Sequence, residues 1–469
     1  MTGPTPYDEV PYAGYPHSAS HPDQISTVAF LHGLDPPSPL SCRVLELGCG
    51  SGETLIGIAY GVPDARLVGI DLAPTAIDRA RRTARALGLV NVEFHVRDLR
   101  DLLGGSLGEF DYVIAHGLYT WIDEANREAL LAVCGEHLAP NGLAYVSYNT
   151  HPGGHFRRAL RELALWHARD ASEPAELAAR ARELFVQLGE LRSADDAWGA
   201  LVATELPELA KASTDYFVHD LLGEHWSPVW FAEFADAAAG RGLQYVGEAS
   251  FHRVSGPWEP KVEAGLHRLS GSDRVAYEQI VDFLVWRRFR DSILCRAGRS
   301  VANTIDRSLL RRLRFRPFGP LSGFAGEPDP LLQTLAALAP PPVSFERLQA
   351  NVDLGTEELE NALFDAVRRG LATMHLDPPR LGTPEAMHPR ISALARLQAT
   401  REKYCTTLLG GVIQPEGPVV RALLDLADGS RDREQLRTDL AAAGGPLLEP
   451  EQLETALQEF AALALVEAG

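Results

Sequence analysis

Nine residues, Val44-Leu45-Glu46-Leu47-Gly48-Cys49-Gly50-Ser51-Gly52, constrain this chain more than any other stretch. An apolar run enters a turn with glycine at every second position, and an apolar helical pattern follows over 53–60. A strand, a glycine turn and a helix in that order are the signature of a nucleotide-type site. Glycine at 48 and 50 lets the backbone turn sharply and approach a ligand without Cβ contacts. Gly52 opens the helix, whose first N–H groups have no partner within it and can meet an anion. A dinucleotide fingerprint would need glycine at 53, where Glu53 stands instead. Cys49 lies inside the turn as a small packed residue of the same ligand wall.

Three acids at predicted strand ends narrow the ligand. Glu46 precedes the first glycine and suits a cationic amino group. Val68-Gly69-Ile70-Asp71 is a short apolar strand whose acid falls nineteen residues after Gly52. A strand-end acid about 20 residues on is the position that accepts from ribose hydroxyls. Val92-Glu93-Phe94-His95-Val96 runs into Arg97-Asp98, and Asp98 can accept from an adenine amino group. S-adenosylmethionine carries the ammonium, carboxylate, sulfonium and adenosine that such a set would hold. The cofactor set is therefore Glu46, Gly48, Cys49, Gly50, Gly52, Asp71, Leu72, Asp98, Leu99 and His116.

From Cys42 onward, strand and helix patterns alternate. Strands are predicted at 43–47, 66–70, 92–95, 112–115 and 143–148, with a late strand at 242–248. Pro74 stands at a favoured helix start, and Ile77, Ala80, Ala84 and Leu87 make one apolar face after it. Pro140-Asn141-Gly142 reads as a turn. Alternating β and α implies a parallel sheet covered on both faces, with ligands beyond the carboxyl ends of its strands. The expected fold is an α/β, Rossmann-like sheet, then a helical middle region and winged-helix-like C-terminal units. Residues 1–40 form an arm over the cofactor pocket. Residues 41–255 form the ligand-binding domain with a helical insertion at about 156–240. Residues 256–327 form the middle region, with a helix at 276–294 and a solvated basic run at 311–316. Residues 328–469 hold two similar units, 328–376 and 418–469. Their third helices carry Glu357, Glu358 and Glu360, or Glu451 and Glu454, which is wrong for phosphate.

Methyl transfer from a sulfonium is an in-line displacement, so the protein's task is to hold the nucleophile close and aligned. An amine nucleophile must also be neutral when it attacks. After the fourth strand comes HGLYTWI at 116–122, and after the fifth SYNTHPGGH at 147–155. Tyr119 and Trp121 are candidates for the wall of an acceptor channel, where an ammonium would meet the rings by cation–π contact. Tyr119, His151 and His155 form the candidate catalytic set, the histidines as proton acceptors near neutral pH. Asn149 joins Trp121 as a substrate contact. The plain alternatives are a core tryptophan and loop histidines. No H-E-x-x-H is present, and no metal site is expected.

Net charge is −19, from 63 acids against 44 bases, so no electrostatic grip on nucleic acid or an anionic membrane is expected. The five cysteines form no C-x-x-C pair, which suits a reducing cytoplasm. No secretory signal and no transmembrane run of ~18 apolar residues is visible.

Together with Tyr7-Asp8-Glu9-Val10-Pro11-Tyr12 and His21-Pro22, these motifs resemble class I methyltransferases that carry a methyltransferase regulatory domain, the rickettsial protein-lysine methyltransferases among them. The similarity runs on through Tyr216-Phe217-Val218-His219-Asp220 and 282–295. The resemblance implies an S-adenosylmethionine site built on Gly48, Gly50, Asp71, Asp98 and the His116 region, with Tyr7 and Tyr12 close to the pocket as substrate contacts. It also implies a middle region able to dimerise and protein lysine as one acceptor class. The chain departs from the family at Gly154, where tryptophan is common, and at Glu53-Thr54, where Gly-Asn is common. The first departure suggests a wider pocket and keeps a small-molecule acceptor open beside a protein or peptide. A non-catalytic, partner-binding regulatory protein is a third reading.

Overall fold

The computed structural model describes residues 14–105, 107–191, 194–223, 225–253, 258–320, 323 and 329–468. Tyr7 and Tyr12 lie outside the described residues. Strands β1 (Arg43–Leu47), β2 (Arg66–Asp71), β3 (Val92–Val96), β4 (Phe110–Ala115), β5 (Leu138–Asn149), β6 (Leu243–Glu248) and β7 (Phe289–Arg296) form one sheet in the order β3-β2-β1-β4-β5-β7-β6. The first five pair in parallel, and β7 runs antiparallel to both of its neighbours.

The sequence explains the two-sided burial. Val44, Tyr112, Tyr145 and Ile293 point into one core, while Leu45, Val113, Ala144 and Leu294 point into the other. A strand covered on both faces reads as a continuous apolar run, as 112–115 does. The helix Pro74–Ala86 buries Ile77, Ala80 and Ala84 against this sheet. Pro140-Asn141-Gly142 is not a turn before β5 but an irregularity inside it. Phe110 pairs with Leu138 and Tyr112 with Leu143, so the extra residues bulge out between them.

The expected helix at 276–294 is corrected. A helix runs only over Arg274–Val285, Trp286 adopts a left-handed conformation (φ 53°), and the chain returns as β7. Residues 290–295 are all buried between strands and under helices, so neither a strand nor a helix period shows in them. Arg290 is fully buried there, and its guanidinium meets Asp282 at 2.8 Å, Glu278 at 3.0 Å and Glu248 at 2.5 Å. A buried cation is tolerable only when paired in this way.

The segment between β5 and β6 is helical, with Gly153–His167, Pro174–Leu191 and Ala197–Lys211 around their own core of Phe156, Leu160, Phe185, Leu206 and Phe217. A π-helix, Tyr216–Leu221, closes that layer. Farther on, β8 (Arg314–Pro317) lies between β9 (Val343–Ser344) and β10 (Ala372–His375). The helices Pro330–Leu338, Phe345–Gln349 and Thr356–Arg368 belong to that unit. The helices Pro418–Leu426, Arg433–Ala442 and Pro450–Ala462 share a separate core. The basic run at 311–316 is only partly solvated, because Arg316 is buried and donates to the Ala462 carbonyl. No helix among the described residues is long and apolar enough to cross a membrane.

If 289–296 is a central strand, Ile293→Ala removes a fully buried side chain. It should lower stability by about 2–5 kcal/mol, read as a fall in the melting temperature.

Candidate active site

The turn after β1 is fixed from beneath by β2. The N–H groups of Gly48 and Cys49 both donate to the Ile70 carbonyl, at 2.9 and 3.0 Å. The Asp71 carboxylate accepts from Gly50 N at 2.9 Å and from Ala73 N at 2.8 Å. Gly48, Gly50 and Gly52 all have positive φ. At Gly52 (φ 79°), a Cβ would also lie 2.7 Å from the Phe94 ring. Only glycine fits that close approach.

These glycines open onto a cavity of about 1430 Å³ at the carboxyl ends of the strands. Its donor end is acidic. Glu46 is 4% exposed, and its Oε2 has no hydrogen-bond partner among the described residues. Burial first, then the Glu53 and Asp71 carboxylates, push the Glu46 acid well above the usual range. Burial pushes Glu53 up to about 7. Cys49 is buried in the same turn, and burial with these acids pushes its thiol up, so it is no thiolate nucleophile. Leu72, Asp98 and Leu99 border the cavity. Arg100 grips the Asp98 carboxylate at 2.6 Å and holds it below the usual range. His116 meets the Tyr145 hydroxyl at 2.8 Å, and the His17 ring stacks on it at 3.6 Å.

Trp121 and Asn149 line the cavity as the sequence suggested. Tyr119 is corrected: it is 4% exposed, packed edge-on to Phe234 and Tyr148 and capped by Arg127. The apolar helix Phe231–Ala239 takes the ring into the core. His151 and His155 do come together, their rings stacked at 3.9 Å against Trp230, but neither is among the residues lining the cavity. Burial and then His155 lower His151 to about 4, which makes it a poor proton acceptor at neutral pH. Gly154 does border the cavity, yet a Cβ there would stand 2.8 Å from Pro228. The space that a tryptophan would need is therefore taken, and the wider pocket expected from this glycine is absent.

Several further walls had no role assigned to them from the sequence. Tyr15, His17, Arg79 and Arg97 line the donor end, while Tyr216, His219, Asp220, Trp226, Trp286 and Arg288 line the far side. Gly411 and Val412 arrive from the hairpin Cys405–Thr406 and Val412–Ile413. That hairpin rests on the donor-site helix Glu53–Gly61, where a Cβ on Gly57 would lie 3.1 Å from Thr406 and one on Gly61 2.9 Å from the Leu408 carbonyl. Tyr404 packs on Tyr15 at 4.9 Å. Tyr15 and His17 belong to the arm expected over the pocket, and Tyr216, His219, Asp220, Trp286 and Arg288 lie in matching motifs without an assigned role.

Residues 44–142 match the family described as methyltransferase domain, and residues 213–296 match the predicted methyltransferase regulatory domain. An uncharacterised protein of Rickettsia prowazekii is 36% identical over 310 residues, covering 66% of this chain and 55% of that protein. The chain thus spans about half the length of that relative. A second uncharacterised protein of the same organism is 29% identical over 233 residues, covering 50% of this chain and 93% of its own. The fold matches that of PKMT2 from Rickettsia typhi in complex with AdoHcy, with a TM-score of 0.84 at 22% identity, over 97% of this chain and 100% of that one.

Two outcomes follow from this geometry. Gly52→Ala should weaken S-adenosylhomocysteine binding at least ~10-fold by calorimetry, since the turn must move away from Phe94, and Gly50→Ala, with no atom within 4 Å of its Cβ, should cost less. Glu53 binds its proton more tightly folded than unfolded, so its contribution is intact below about pH 4.5 and is lost as pH rises towards about 7. Glu53→Gln should therefore leave stability unchanged at pH 4.5 and raise it by up to about 3 kcal/mol at pH 8, read by denaturant melts.

Proposed function

From a chain that carries a class I, S-adenosylmethionine-dependent methyltransferase domain over 44–142 and a regulatory domain over 213–296, we propose an enzyme that N-methylates an amine, with lysine on a protein or peptide as the leading acceptor. One observation carries the reading: Glu46 Oε2 is buried with no hydrogen-bond partner among the described residues, beside two further carboxylates. Crowding of these acids around the buried Glu46 favours a cationic group on a ligand beside it. The residues fit S-adenosylmethionine, whose sulfonium supplies an electrophilic methyl group when bound. Glu46 would receive its ammonium and Asp71 the ribose hydroxyls, with Leu72, Asp98 and Leu99 at the adenine end. The N–H groups that begin the helix Glu53–Gly61 would meet its carboxylate.

The cavity exceeds the usual span of a single small-molecule site, ~300–1,000 Å³, so it has room for an acceptor beside the cofactor. Trp121, Trp226 and Trp286 give the far side an aromatic lining suited to an ammonium. The fold it shares with PKMT2, a structure holding AdoHcy, supports the same donor. A small-molecule acceptor is the second reading, and the loss of the extra space at Gly154 weakens it. The two C-terminal units, read as winged-helix-like, take a packing role, and the hairpin between them walls the donor end. A dimer through the middle region is in keeping with exposed Phe283, Leu284 and Trp286.

Purified protein incubated with methyl-labelled S-adenosylmethionine and a fractionated lysate should put label on protein, at lysine by mass spectrometry. Label confined to the small-molecule fraction would move the acceptor to a metabolite. Asp71→Asn should raise the dissociation constant for S-adenosylmethionine at least ~10-fold, because it weakens both the turn and the ribose contact. Light scattering should give twice the chain mass, and a single-chain mass would remove the dimer.

A further inference from the structure

The most unusual backbone on the cavity wall is the π-helix Tyr216–Leu221, where Leu222 N donates to the Phe217 carbonyl at 2.8 Å. π-helical turns are rare, and they recur at functional sites because the extra residue re-aims the side chains around it. Here it places Tyr216, His219 and Asp220 together on the cavity wall. The turn is braced from three sides. Trp121 Nε1 donates to the Asp220 carbonyl at 3.3 Å. Arg157 donates to the Tyr216 hydroxyl and to Glu205, which also pairs with Arg288. Arg182 covers the buried Phe217 ring at 4.9 Å.

His219 and Trp121 also line a second cavity of about 500 Å³, whose other walls include Glu173, Pro174 and Leu177. The two side chains thus stand between the two cavities. The acids Glu46, Asp71 and Asp98 belong to the donor end, whereas Asp220 stands on the far side with Trp121 and Tyr216 and with Arg157 and Arg288, both of which pair with Glu205.

Resting on the amine-methylating reading above, we propose that this π-helix is the acceptor station: Asp220 binds the incoming ammonium, Trp121 and Tyr216 flank it, and His219 takes its proton. One N–H bond of the ammonium breaks, an N–H bond forms on the imidazole, and the positive charge moves to His219. The amine keeps the electron pair it needs as a nucleophile. The rest of the acceptor extends past His219 into the second cavity, which fits a side chain borne on a peptide better than a compact metabolite.

The probe is lysine capped at both ends, Nα-acetyl-lysine N-methylamide, titrated by calorimetry into protein saturated with S-adenosylhomocysteine. Asp220→Asn should weaken its binding at least ~10-fold, while S-adenosylhomocysteine affinity stays within ~2-fold and the melting temperature within a few degrees. Asp220→Glu should recover part of the affinity, which a merely structural carboxylate would not do. His219→Ala should bind the capped lysine within ~3-fold yet lose ~10²-fold or more in turnover, and added imidazole should restore part of it. Equal capped-lysine affinity in wild type and Asp220→Asn would overturn the station. So would wild type that binds S-adenosylhomocysteine but not the capped lysine, although the donor site would stand. Protein that binds neither would instead remove the methyltransferase reading.

Discussion

The Asp71 carboxylate is the joint of this molecule. It accepts from Gly50 and from Ala73, so the turns that follow β1 and β2 hang on one side chain. Charge-assisted bonds to backbone N–H groups are among the stronger hydrogen bonds in a protein. They hold the glycine turn in its left-handed conformations and set the mouth of the donor end. Asp71 also stands beside Glu46 and Glu53, and burial together with this crowding pushes the Glu46 acid up. The folded chain tolerates this by keeping protons on the other two acids, and a cationic ligand removes the need for them. Affinity and specificity for a cation thus come from the same repulsion that destabilises the empty site.

The antiparallel strand β7 explains how distant segments reach that mouth. Asn149 at the end of β5 pairs with Phe289 at the start of β7, so the chain entering β7 crosses the ligand edge of the sheet. Trp286 and Arg288 are delivered there by the left-handed break after Val285. Arg290, one residue into the ladder, is neutralised by the buried Glu248 and Asp282 and the half-buried Glu278, and anchors the whole return. The segment that matches the regulatory domain, 213–296, is therefore part of the site wall and not an appendage to it.

The glycine turn, the acids at strand ends and the five parallel strands were legible because each depends on local chemistry: a positive φ, a strand period, an acid at a fixed offset. β7 was not legible, because a strand buried on every side shows no period, and the preceding helix lent it one. Tyr119 failed for a related reason. Its position next to the sheet edge was read correctly, but which way a tyrosine turns is decided by Phe234 and Tyr148, far away in sequence. Gly154 failed because an absent side chain says nothing of what fills the space, and Pro228 fills it. Residues brought in by long-range packing, such as Gly411 and Val412, have no local signature at all.

The division of the cavity follows from these constraints. The donor end is built on the parallel strands, where helix N-termini and strand-end acids occur together by construction. The far side is built on the helical layer and on β7, elements that a bare sheet of this type does not need. Aromatic rings and braced polar groups gather there: Trp226, Trp286, Tyr216 and Arg288. A site that held only a cofactor would require none of them. On the proposed reading, one side of the cavity fixed by the glycine turn and the other by a braced π-helix would turn an encounter between two solutes into a single aligned displacement.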